Sequence, residues 1–134
     1  MKILVIDAQG GGIGKAVITA LKKEIPQLEV IAVGTNTIAT SAMLKAGADY
    51  AATGENSVVV CSKDADFIVG PIGIVIADSM YGEITARMAV AVGQSRAERF
   101  LIPIHHCKNN VAGINNYHIE DLINSVIDQI KEKL

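Results

Sequence analysis

Residues 3–6 (ILVI) form a short apolar run that ends at Asp7 and leads almost at once into glycine. Gly10, Gly11, Gly12 and Gly14 fall within five positions, with Ile13 among them and Lys15 directly after. An unbroken apolar run of this length suits a strand buried on both faces, as strands of a parallel sheet are. Past the glycines, Ile13, Ala16, Val17, Ala20 and Leu21 recur at the spacing of one helix face until Pro26 closes the segment. The chain therefore opens as strand, tight turn and helix. A parallel neighbour for that first strand can be reached only through a crossover.

The same alternation continues. Residues 30–33 (VIAV) read as a second strand, 37–46 as a second helix stopped by Gly47, and 50–52 as a short third strand. Residues 67–69 (FIV) make a fourth and 100–104 (FLIPI) a fifth, and the stripe Ile119, Leu122, Ile123, Val126, Ile127, Ile130 and Leu134 marks a closing amphipathic helix. Residues 57–62 (SVVVCS) are β-branched enough for a strand, but they must cross from strand three to strand four, which favours a short helix. A loop is expected through 78–82, followed by a helix over 83–94, with Asp78 and Ser79 capping that helix or reaching into the crevice, the cap being favoured. Strands joined by crossovers predict a three-layer α/β/α Rossmann-like fold with a parallel sheet of about five strands, built as one domain over residues 1–134.

Several templates test what the glycines are for. The phosphate-loop pattern G-x-x-x-x-G-K-[ST] fits Gly14 and Lys15 but meets Gln9 at its first position and Ala16 at its last. Without that last hydroxyl the usual magnesium ligand is missing, which disfavours triphosphate hydrolysis. The dinucleotide pattern G-x-G-x-x-G fits Gly11 and Gly14 and fails at Gln9. The short-chain dehydrogenase pattern fits Gly12-Ile13-Gly14 and breaks at Asp7-Ala8. The Tyr-x-x-x-Lys of that family is absent, because Tyr50, Tyr81 and Tyr117 are followed four residues on by Gly54, Thr85 and Asp121.

The physics common to these templates survives. A glycine-rich turn opening a helix leaves backbone N–H groups beside the positive helix end, where a phosphate or carboxylate is stabilised. A tight turn alone needs one or two glycines, fewer than stand here. Lys15 opposes the helix dipole by roughly 0.3–1 kcal/mol unless an anion sits nearby. A second glycine loop, Gly70-Pro71-Ile72-Gly73, ends strand four, which neighbours strand one in the common doubly wound orders. Gly10 to Lys15, Gly70, Pro71 and Gly73 are thus the candidate cofactor-binding residues. Asn36 joins them as a ribose contact, although the favoured role for this stretch is the N-cap of helix two, supplied by Thr35, Asn36 or Thr37. The end of strand two carries no acid to take ribose hydroxyls, which lowers NAD relative to NADP, a mononucleotide or another anionic metabolite.

Composition excludes other classes. Of 134 residues, 50% are apolar and 19% charged, enough to bury a core, and the formal net charge of -2 exerts no pull toward nucleic acid or anionic membrane. Neither a signal segment nor an apolar run of membrane-spanning length is present, and the two cysteines, Cys61 and Cys107, fit reduced thiols in a cytoplasm. The cluster His105-His106-Cys107 is the best metal candidate, with His105 and Cys107 on one side of an extended chain and His118 as a third ligand, but i, i+2 spacing does not define a zinc site, and histidines at the rim of the crevice, open to phosphate contact or proton transfer, are favoured over a metal. No nucleophile and base stand at a diagnostic spacing, so the residues assign no catalysis.

The stretches DAQGGGIGKA, ATGEN, GPIGIVIADSMYGEIT and LIPI together resemble a family of short bacterial proteins of unknown function, described as Rossmann-like and known chiefly from anaerobes. The resemblance spans nearly the whole chain. It implies the fold and a cytoplasmic bacterial setting, and it implies no activity. Residues 84–92 (ITARMAVAV) carry one charge, Arg87, so one face should pack on the sheet and another, through Met88 and Val92, on a second copy in a homodimer. The expected function is the binding of a phosphate-bearing nucleotide or dinucleotide at the two glycine loops. The alternative is a structural or regulatory homo-oligomer whose glycine turns serve packing only.

Overall fold

In the computed structural model, residues 1–104, 108–115 and 118–134 are described. The elements run β1 (Lys2–Asp7), α1 (Gly12–Glu24), β2 (Glu29–Gly34), α2 (Thr37–Lys45), β3 (Tyr50–Thr53), α3 (Glu55–Ser62), β4 (Phe67–Pro71), a 3-10 turn (Ile72–Val75), α4 (Ala86–Gln94), β5 (Glu98–Ile102) and α5 (Ile119–Lys133). All neighbouring strands pair in parallel, in the order β3-β2-β1-β4-β5. This is the Rossmann-like α/β arrangement. The strand order reverses between β1 and β4, so the crevice that such sheets use for ligands opens above the ends of those two strands.

Strand parity explains why β1 reads as continuous apolar sequence. Ile3 and Val5 face the core made with Val17, Ile18 and Leu21 of α1 and Ile123, Val126, Ile127 and Ile130 of α5. Leu4 and Ile6 face the opposite core, with Val58 of α3, Ile74, and Met88 and Val92 of α4. Both faces are covered, so neither parity tolerates a polar side chain. Asp7 continues the Ile3 and Val5 parity, which sets its carboxyl on the α1 side at the mouth of the crevice. Among the described residues, no helix is long and apolar enough to cross a membrane.

Three expectations change. The fifth strand runs from Glu98 to Ile102, two residues earlier than its apolar run, because pairing with β4 starts at Phe67 and Glu98 on an exposed edge where charge is tolerated. Helix α4, expected from residue 83, starts at Ala86, since the Thr85 hydroxyl accepts from the Met88 amide at 3.1 Å and caps it there. Asp78 and Ser79 therefore do not cap α4, and the Ser79 hydroxyl instead donates to the Gly73 carbonyl. Met88 and Val92 lie inside the core and are closed to a second copy, leaving Val90, 53% exposed, as the apolar residue α4 presents to solvent. The short helix expected over residues 57–62 is present as α3.

Candidate functional site

Asp7 organises the end of β1. Its side chain is only 3% exposed, and its two oxygens accept from the Ala8 amide and the Gly14 amide, each at 2.7 Å. Helix α1 has no side-chain cap of its own at Gly11, so Asp7 supplies from the strand the negative charge that the helix end favours. The sequence signal was an acid ending a buried strand directly ahead of a glycine turn. Its role could not be read until parity and register placed it under α1.

The four glycines divide into two pairs. Gly11 sits at φ 74°, and a Cβ there would come within 2.8 Å of the Ala39 backbone. At Gly14 a Cβ would press on Met43 and Asp7. Those two glycines let α1 approach α2 and β1. Gly10 and Gly12 have nothing within 4 Å of an added Cβ. Both border a cavity of about 340 Å³ lined by residues 7–13, Ala16, Pro71, Met80, Ile104 and Ile119. The Gly11 amide donates to Ala8 and the Gly14 amide to Asp7, while the amides of Gly10, Gly12 and Ile13 have no acceptor among the described residues.

Glu83, placed by sequence in a helix, is the second residue that sequence reasoning missed. It precedes α4, and its Oε1 accepts from the Gln9 amide at 2.9 Å, the Thr35 hydroxyl at 2.6 Å and the Asn36 side-chain amide at 2.9 Å. Burial pushes its carboxyl up, but the bonds from Thr35, Gln9 and Asn36 outweigh it and hold the group below its ordinary value of 4.5. Asn36 caps α2 by accepting from the Ala39 amide and also donates to the Gln9 carbonyl. Its capping role is thus present, and its remaining donor is committed to the glycine loop and Glu83.

The other sequence candidates separate. Pro71 borders the cavity. Gly70 is packed, since a Cβ would stand 2.6 Å from the Ile6 carbonyl, and a Cβ at Gly73 would press on Met80 and Ser79. Lys15 borders two outer grooves, one toward α5 and one toward α2, and is not among the residues bordering the crevice. The metal candidate His105, His106 and Cys107 lies outside the described residues. Among the described ones, no three His, Cys, Asp or Glu side chains group as a metal site.

Comparison with known proteins adds a family of unknown function. Residues 2–134 match the family described as Domain of unknown function (DUF3842), and the chain belongs to it. No curated protein matches the sequence. Among solved structures, a dodecameric FMN-dependent UbiX-like decarboxylase from Escherichia coli O157:H7 is similar over 98% of this chain and 94% of that one, at 14% identity and a TM-score of 0.48.

Proposed function

We propose that this member of a family without an assigned activity binds a small phosphate-bearing ligand, a nucleotide in the first instance, in the crevice above β1 and β4. One observation carries the reading. Gly10 and Gly12 have no packing reason to be glycine, and they border the crevice beside three backbone amides (Gly10, Gly12 and Ile13) that have no acceptor among the described residues. Amides left over at a helix start, next to bare backbone, suit a phosphate oxygen. The apolar wall of Ile13, Ala16, Pro71, Met80, Ile104 and Ile119 suits the less polar body of such a ligand. Asp7 restricts where the phosphate sits, since its charge already holds the Gly14 amide.

The rival reading, a homo-oligomer whose glycines only pack, is favoured by Gly11, Gly14, Gly70 and Gly73, each of which has a steric reason to lack a side chain. It leaves Gly10 and Gly12 unexplained. Thermal melts with AMP, ATP, FMN, NAD, NADP and sugar phosphates separate the two, because a ligand at 100 times its dissociation constant adds about 2.7 kcal/mol to folding. A shift with one of these anions supports the crevice, and none with any of them favours the rival. Self-association is compatible with both readings, and Val90 and Val60, about half exposed at 53% and 54%, are the residues on α4 and α3 to carry it.

A further inference from the structure

We infer that Glu83 closes the β2 side of the crevice, so that the site takes a mononucleotide-sized phosphate ester and rejects a dinucleotide. The inference rests on the phosphate reading above and narrows its ligand class. In an open α/β sheet a dinucleotide straddles the switch point, with one nucleoside over the strand that follows the glycine loop and the other over the far half. Here the first of those positions lies where Asp7 of β1 pairs with Gly34 of β2. Protein already bridges that gap. Glu83 Oε1 takes donors from Gln9 on one side and from Thr35 and Asn36 on the other, and Asn36 spans the gap again to the Gln9 carbonyl at 3.0 Å.

The bridge is costly to displace. Hydrogen bonds to a carboxylate are roughly twice as strong as neutral ones, and a ribose hydroxyl entering there meets an oxygen whose three donors are already in place. The cavity agrees with this division. None of Thr35, Asn36 and Glu83 borders it, and its lining beyond the glycine loop comes from Ala16, Pro71, Met80, Ile104 and Ile119.

The backbone that delivers Glu83 adds an independent observation. Asp78, Met80 and Tyr81 have φ of 65°, 53° and 57°, a left-handed conformation that non-glycine residues rarely hold, and Gly82 follows at 84°. Such geometry persists where the surroundings over-determine it and is found at ligand clamps. The turn is closed by bonds between Asp78 and Ile84 and between Ile84 and Ser79. It sets two walls at once, Met80 against the cavity and Glu83 across the gap to β2.

Calorimetry with AMP and FMN set against NAD and NADP tests the inference. The parent should bind AMP or FMN at least about tenfold more tightly than either dinucleotide. Glu83→Ala should bring that ratio close to one by opening the gap, whereas Glu83→Gln, which keeps the oxygen acceptor, should preserve it. Thr35→Val removes a single bond to Oε1 and should move the ratio in the same direction without endangering the fold. NAD binding to the parent within about threefold of AMP, or an unchanged ratio in both Glu83→Ala and Thr35→Val, overturns the inference while the phosphate reading stands. Failure of all four compounds to bind overturns the phosphate reading and this inference with it.

Discussion

The two glycine loops end adjacent parallel strands and look alike in sequence, yet their glycines answer different demands. In the loop after β4, Gly70 has no side chain because the Ile6 carbonyl of β1 would lie 2.6 Å from its Cβ, and Gly73 has none because Met80 and Ser79 crowd it. In the loop after β1, Gly11 and Gly14 meet the same kind of demand from Ala39, Met43 and Asp7, while Gly10 and Gly12 face open space. Steric need thus accounts for all of one loop and half of the other. The surplus pair, and not the glycine count, is what the proposed phosphate site rests on.

Substitution at Gly70 should give the largest effect. Gly70→Val places atoms against main chain that cannot move without separating β1 from β4, so urea denaturation should show a loss of about 3 kcal/mol or more. A loss within about 0.5 kcal/mol would mean the second loop is as open as the first. Gly12→Val tests the contrasting position. It should leave apo stability within about 1 kcal/mol and remove the thermal stabilisation by a phosphate-bearing ligand, which is about 2.7 kcal/mol at 100 times the dissociation constant. Undiminished ligand stabilisation in that variant would make Gly12 as structural as Gly70.

Glu83 provides a smaller, pH-dependent effect. A carboxyl held below 4.5 in the folded state binds its proton less readily there than in the unfolded chain. Its stabilisation is therefore complete above the unfolded value and disappears as pH falls through the folded one. Between about pH 6 and pH 3, the parent should lose stability that Glu83→Gln does not lose. Parallel urea midpoints across that range would disprove a pairing role for the charge.

Lys15 should matter least. The negative charge that helix α1 favours comes from Asp7, and Lys15 borders outer grooves, so Lys15→Ala should change ligand affinity by no more than about 0.5 kcal/mol at low or high salt. A loss of about 1–3 kcal/mol at low salt would bring Lys15 back to the phosphate as a charge-assisted donor.

What could be read from the chain alone was whatever neighbours in sequence control. The apolar runs of β1 and β2, the helical stripe of α5, the helix stop at Gly47 and a cap for α2 within residues 35–37 each depend on residues a few positions apart, and the alternation of these elements implies a parallel sheet. The boundary of β5 moved because an edge strand's ends follow pairing with β4, which its own hydropathy does not encode. Asp7 and Glu83 escaped notice for a related reason. The carboxylate of Glu83 meets Gln9, Thr35 and Asn36 across 74, 48 and 47 positions of sequence, and only the parallel register of β2 beside β1, with the left-handed turn after β4, brings those groups together. Local pattern determines which segments become strands and helices, because backbone hydrogen bonding and side-chain periodicity act over a few residues. Which glycines are surplus, and which acid bridges the ends of β1 and β2, is decided by close packing between segments far apart in the chain.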